Sequence, residues 1–452
     1  MIRRRDLLWL PALAVAQTVE EDYQVYTEHP RLLLKQQRLR LLRREKERQS
    51  RRWLQFESLM RGKGQMPEPG FALALFYQIG GDSESGRAAL EWARTAVDMR
   101  QAALVYDWCR PLITQPQDSQ LASKLLRALE YRADSITSVR DAVFAAVALS
   151  DHVPDRPRQA LQSVVRAWWR GKMAPALLSG ERVLTHAETY PLFEILHAVR
   201  DAVQIELRDN ALPFFRDLPG YRLLSYYPPS WPGAENEFRI PFFFSSGDPD
   251  LRIAALTRIT ELSMVAYDNN AVESQFLQGW LLHDSYQLRG TFGSPYEFLW
   301  ANPYQPGLSY HHMPLQFHDK RSGQIFLRSS WNEDAEWLGF SGNKLQLFRE
   351  GKLQIAPLSP GALPAMIGDS AIVAGQKAMK WILQEDDPSH WYVVGLKPMQ
   401  SFDLEIDDQE LAEVQADNGG VIALKFDRHQ GVGVRLRSRS LGLGNHLKAG
   451  TQ

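Results

Sequence analysis

Histidine is the one side chain whose unperturbed charge changes near neutrality, and tyrosine can also pass a proton to or from a reacting group. Three places in the chain put such groups where they could act. His186 and His197 are eleven residues apart, close to three helical turns, so both reach one face of a helix. Tyr226 and Tyr227 lie within Leu212–Asp250, a stretch dense in proline and aromatic residues that also carries Trp231 and Arg239. A long segment of that kind reads as a loop, and such loops often carry function. Tyr310-His311-His312, followed by His318-Asp319, forms the third group. Arg239 offers two parallel N–H groups to a carboxylate, and the Trp231 ring suits the face of a sugar. Glu235 and Glu237 supply paired carboxylates of the kind glycoside hydrolysis needs, with Glu188 and Glu194 as alternatives. Each group also has a plainer reading: a structural histidine, packed tyrosines, or an ion pair from Arg239 to Glu235 or Glu237. His and Asp near residue 318 can ligate zinc, but the spacing fits no strong zinc pattern and no metal or other cofactor is expected.

The elements that hold these residues fall into two halves. From Arg31 to about Leu282, segments such as Phe71–Ile79, Gly86–Val97, Gln101–Arg110, Gln120–Ala133, Val139–Ser150 and Arg158–Arg170 repeat apolar residues every three or four positions. Short breaks with Gly, Pro or Asp separate them, so the helices are expected to pack as antiparallel hairpins. No fixed repeat of 33 or 34 residues is present, which disfavours ankyrin or tetratricopeptide arrays and fits a toroid of irregular hairpins better. Beyond about Ser309 the period changes. Gln324–Arg328, Ala335–Phe340, Lys344–Phe348, Ala371–Ala374, Trp391–Leu396, Val421–Phe426 and Gly433–Arg437 are short and β-branched or aromatic, bounded by turn residues. They predict an antiparallel β-sandwich. The fold class is therefore α+β and multidomain, with a helical (α/α) toroid over 17–305 and a sandwich over 306–452.

Four pieces, in order along about 30–440, resemble the heparinase II/III-like polysaccharide lyases and their alginate-lyase relatives. They are His29-Pro30-Arg31-Leu32, the Ala-Leu-Val-Tyr-Asp-Trp run of Ala103–Trp108, the His186 helix, and Phe326-Leu327-Arg328-Ser329-Ser330-Trp331 followed by Trp337-Leu338-Gly339-Phe340. The resemblance implies a toroid packed on a sandwich, with an acidic glycan held between them and cleaved by β-elimination. In that chemistry a uronate carboxylate is neutralised, a base takes the C5 proton, and an acid protonates the leaving O4. It implies His186 as the toroid histidine, Tyr226 or Tyr227 as the acid or base, and an acidic polysaccharide or oligosaccharide as partner. Two departures stand out. Thr185 sits where the family commonly has Asn. The His-x-His-x-Asp segment expected after the Arg-Ser-Ser-Trp stretch is replaced by Phe340–Phe348, which contains no histidine. His311 or His312 is the nearest replacement, expected on the wall of the cleft between the domains with Arg239 facing it. A glycan-binding relative without catalysis and a helical-toroid hydrolase remain as alternatives.

Charge and composition narrow the field further. The 52 basic and 53 acidic residues nearly cancel, so no nucleic-acid partner is expected. The 44% hydrophobic share is that of a globular chain. A basic run, Lys35–Arg52, reads as a solvated helix face with Glu45 and Glu47 paired to Arg48 and Arg51. The single Cys109 can form neither an internal disulfide nor a thiolate cluster. Residues 1–16 read as a signal peptide: Arg3-Arg4-Arg5 precede a short apolar run and the small-residue site Ala14-Val15-Ala16, and the pattern resembles a twin-arginine signal. A periplasmic or secreted protein with no membrane anchor in its mature form is expected.

Overall fold

The computed structural model describes residues 21–130, 135–234, 236–244, 247–408, 410–427 and 431–439. The expected signal peptide lies outside these residues, as does Glu235. Helices come first: α1 Gln36–Glu47, α2 Arg51–Arg61, α3 Pro69–Gly80, α4 Ser83–Thr95, α5 Met99–Trp108, α6 Gln115–Ala128 and α7 Ile136–Leu149. They continue with α8 Asp155–Ser163, α9 Ala174–Ser179, α10 His186–Val203, α11 Leu212–Leu224, α12 Leu251–Tyr267, α13 Val272–His283 and α14 Gly290–Trp300. Their ends follow local chemistry. Asp82 caps α4 by accepting from the Glu84 and Ser85 amides, and Gly81, at φ 76°, ends α3 in a left-handed turn.

The helices pack in a closed order. α2, α3, α5, α7, α10, α12 and α14 touch in succession, and α14 returns to α2. Members of this ring are enclosed on most sides: nine of the ten residues of α5 are buried. Such helices show little amphipathic stripe because neighbours cover every face.

From Leu212 to Pro241 the proline-rich stretch is mostly helix and strand rather than loop. Pro213 sits in the first turn of α11, where its missing N–H costs no bond. Pro219 lies inside the same helix. The chain then forms a two-stranded ribbon, β1 Tyr226–Pro232 and β2 Glu237–Pro241, that joins no other sheet. A register shift between Tyr226 and Ser230 accommodates Pro228 and Pro229, which have no amide to donate to a ladder. Further on, α14 contains Tyr296 and ends at Trp300, so the helices run past Leu282, where the apolar spacing had been expected to stop.

The strands that follow form three sheets rather than the two of a simple sandwich. The first contains β3 Gln316–Asp319, β4 Gln324–Arg328, β5 Trp337–Ser341, β6 Lys344–Arg349 and β7 Lys352–Pro357 in chain order. The middle sheet contains β8 Ala365–Ile367, β9 Ser370–Ala374, β11 His390–Val394 and β14 Ile422–Lys425; the outer sheet contains β10 Ala378–Ile382, β12 Ser401–Ile406, β13 Glu410–Gln415 and β15 Gly433–Ser438. Strand alternation stacks them. Phe326 and Trp337 of the first sheet join the helical core, while their neighbours Ile325, Leu327, Leu338 and Phe340 pack with Ile372, Tyr392 and Val394 of the middle sheet. Trp391 and Val393 point the other way, to Phe402, Leu404 and Leu436 of the outer sheet. Ring, first, middle and outer sheet are thus successive layers. β9 and β11 run parallel, which corrects the all-antiparallel expectation. A sheet covered on both faces tolerates parallel pairing, and β11 accordingly reads as a near-continuous apolar run.

Candidate functional site

His186 opens α10, and the Glu188 carboxylate accepts the Thr185 amide at 3.0 Å, a helix-start pairing that gives Thr185 a structural use. The His186 ring is fixed from both sides. Its Nδ1 accepts from Arg222 at 2.5 Å, and its Nε2 donates to the Phe242 carbonyl at 3.3 Å. Burial and then the Arg222 charge push its pKa down to about 3, so the ring is neutral at pH 7. Arg222 also donates to Thr189 Oγ1 at 2.6 Å. His197 lies deeper on α10, tilted against Trp300 with ring centroids 4.5 Å apart and with Nε2 on the Ser263 carbonyl.

The β1 ribbon separates the two tyrosines, because adjacent strand residues face opposite ways. Tyr226 points into the helical ring, is fully buried, and donates to Glu261 at 2.5 Å. Tyr227 points to the first sheet, donates to Gln346 Oε1 at 2.7 Å, and packs edge-on to Trp337. Burial raises both phenols, Tyr227 to about 12, and burial also raises the Glu261 carboxyl.

From Glu261 a buried chain of charges runs to the domain junction. Arg258 lies 3.5 Å from Glu261 and donates to Asp284 at 2.7 Å; Asp284 in turn takes Arg239 at 3.1 Å. Arg239 also reaches the exposed Glu333 at 3.1 Å and lies 5.1 Å over the Trp280 ring. Its expected partner Glu237 instead accepts the Ser230 hydroxyl at 3.3 Å. Tyr310 meets Trp280 edge-on at 4.9 Å, and His311 stacks on Tyr310 at 4.4 Å. Arg328, beside them, is buried without a carboxylate among the described residues and donates to the Tyr226, Ser330 and Asn332 carbonyls. Burial and the Arg239 charge push it down to about 10.

The structure therefore brings Arg239 and Tyr310 together around Trp280, and sets His186 and Tyr226 within the influence of one arginine, Arg222. His312, Trp231 and Glu237 are at the surface, apart from the buried network, and His311 is exposed at its edge, stacked on Tyr310. Between α9–α11 and β3–β4 lies a slot of about 40 Å³ lined by Arg182, Thr189, Tyr221, Arg222 and Arg321. That is room for a water molecule, not for a sugar ring. Among the described residues no three His, Cys, Asp or Glu side chains gather as metal ligands.

A second ionic cluster was missed by sequence reasoning. Within the ring, Arg100 binds Glu194 at 2.8 Å and Glu68 at 2.9 Å, Tyr296 donates to Glu68 at 2.5 Å, and Arg140 joins Glu194 to Asp141. Burial raises the Asp141 carboxyl. Its members come from five separate segments of chain, so no local spacing marks them; Glu194 alone had been singled out.

No protein-family model matches the chain, and no curated protein matches it. Among solved structures it is similar to a mutant of the heparan sulfate lyase HepC from Pedobacter heparinus, at TM-score 0.38 and 12% identity over 82% of this chain and 72% of that one. It is similar to a glycoside hydrolase at TM-score 0.30 and 8% identity, over 82% and 71% of the two chains. A GH127 β-arabinofuranosidase follows at TM-score 0.29 and 10% identity, over 92% and 80%. Scores this low transfer neither a residue nor a reaction.

Proposed function

We propose that this is an exported glycan-binding relative of the polysaccharide lyases, an α/α toroid on a sandwich-like β domain, that holds acidic glycans without cleaving them through His186 or Tyr226. One observation carries this reading. Both ring nitrogens of His186 and the hydroxyls of Tyr226 and Tyr227 are already engaged by Arg222, Phe242, Glu261 and Gln346. A general base needs a basic lone pair within reach of substrate; that of His186 is taken by Arg222, and both phenols are buried, with burial holding their protons on. The four sequence resemblances support the acidic-glycan class. The test is to incubate the full chain with alginate, heparan-type and pectic glycans. Calorimetric binding without near-ultraviolet absorbance from unsaturated ends is expected. Appearance of that absorbance overturns the reading in favour of a lyase.

The carboxylates inside the ring favour one second reading, a hydrolase. Asp141, held protonated more readily by burial, and Glu68 are the acid and base that inverting hydrolysis would use. New reducing ends without a new double bond, lost in Glu68→Gln, are its signature.

A further inference from the structure

The basic run of α1 does not simply face solvent. Lys35, Arg38, Arg40 and Arg44 line one side of a cavity of about 590 Å³, with Arg200 of α10 on the other. Trp300, Tyr267, Asn302 and Gln305 complete the wall. This volume lies in the range of ligand pockets that hold small molecules. The site is remote from the junction. Arg200 is fourteen residues along α10 from His186, about 21 Å at the helical rise.

Some of the positive charge has a structural use. Helix C-termini attract cations, and here Arg38 donates to the Leu299 carbonyl at 2.9 Å while Arg200 donates to the Tyr267 carbonyl at 2.6 Å. Lys35 pairs with Asp201 at 3.2 Å, and Arg200 binds the same carboxylate. Two cations are left over. Arg40 and Arg44 are exposed and have no side-chain hydrogen bond or ion pair among the described residues. Among the described residues no carboxylate lines the cavity. Arg38 lies over Trp300 at 4.6 Å and Arg200 over Tyr267 at 3.7 Å, and with their carbonyl bonds these contacts hold both guanidinium groups in place before any ligand arrives. Fixed forks bind carboxylate or sulfate with less loss of side-chain freedom than mobile ones. Asn302 and Gln305 supply the neutral amides that hydroxyls require.

We infer that this cavity is a binding site for a saccharide of one or two rings bearing carboxylate or sulfate groups, separate from the junction. The ligand class rests on the acidic-glycan reading above; the location does not. The site recognises the anionic groups through Arg40, Arg44 and the two pinned arginines, and the sugar hydroxyls through the amides.

The test is calorimetric titration of the full chain with a heparin-derived disaccharide, an alginate-derived dimannuronate and maltose. The parent binds one or both acidic sugars and not maltose, and the arms separate sulfate from carboxylate recognition. Arg40→Ala/Arg44→Ala, which removes no internal bond, weakens acidic-sugar binding about tenfold or more. Arg87→Ala/Arg127→Ala removes the same charge elsewhere and leaves it unchanged. Equal affinity in the parent and the Arg40/Arg44 variant, or equal loss in both double variants, overturns the cavity site while the glycan reading stands. If the parent binds neither the acidic disaccharides nor the longer glycans, both fall.

Discussion

Arg239 and Tyr310 are held against the same indole: the guanidinium lies over the Trp280 face at 5.1 Å, and the phenol meets it edge-on at 4.9 Å. Trp280 is 2% exposed and so ties the β ribbon to the segment leading into the first sheet. Trp280→Ala is expected to lower stability by about 3–5 kcal/mol, the range for deleting a buried large ring. Trp280→Phe, which keeps an aromatic face, is expected to lose less. Urea unfolding of the two variants checks the order, and equal losses would show that the face contact with Arg239 contributes little.

Asp284 serves two buried arginines, whereas Arg239 has a second carboxylate in Glu333. Asp284→Ala leaves Arg239 and Arg258 without their shared partner, so a loss of about 3–5 kcal/mol is expected, as for broken buried pairs. Arg239→Ala leaves Asp284 still bound to Arg258 and is expected to be milder. Chemical denaturation ranks them, and the reverse order contradicts the assignment of Asp284 as the hub.

Tyr226→Phe removes one hydroxyl and leaves the buried Glu261 carboxyl short of a donor. A cost of about 1–3 kcal/mol follows. Because Tyr226 is enclosed, acidic-glycan binding is expected to be unchanged at temperatures where the variant is folded. Isothermal titration that shows lost affinity would place Tyr226 in contact with ligand.

The pH dependence has a definite sign. Burial first, with Arg200 and Arg38 adding to it, pushes buried His197 down from 6.5 to about 3. Between those values the unfolded chain binds a proton that the fold excludes. The stability from this group is therefore complete above pH 6.5 and is lost as pH falls toward 3. His186 acts in the same direction. Each contributes a slope of up to about 1.4 kcal/mol per pH unit. Glu297 opposes them, because burial raises it from 4.5 to about 7 and its contribution is lost as pH rises through that range. Stability measured from pH 4 to 7 (roughly that window) is expected to fall with acid, less steeply in His197→Gln and more steeply in Glu297→Gln. An unchanged slope in His197→Gln would remove the histidine from the account.

Much of the architecture could be read from residue patterns. The change from three-to-four-residue spacing to alternation marks where helices give way to strands, and Gln324–Arg328 is bounded as expected. The prolines misled, because a proline in a first helical turn or at a bulge breaks no hydrogen bond and so leaves regular structure intact. β12 and β13 were missed since their outward faces carry Asp and Glu, which dilute the apolar signal. Of the candidate residues, His186 and His197 were recognisable as sharing one helix. The His186 partner Arg222 was not recognisable, nor were Glu261 and Asp284, which lie 35 and 45 residues from the side chains they bind. Such pairings are set by how α11, α12 and α13 meet the ribbon, and no local spacing records that.

The alternating strands of the first sheet also bear on how the molecule comes apart. β4 and β5 give every second side chain to the helical core and the others to the middle sheet, so neither half can lose its partner without exposing Phe326 and Trp337 or Leu327 and Leu338. A chain built as two domains on a flexible linker would melt in two steps; this one shares its core across the boundary. Its unfolding should be a single cooperative transition, with calorimetric and van't Hoff enthalpies in agreement.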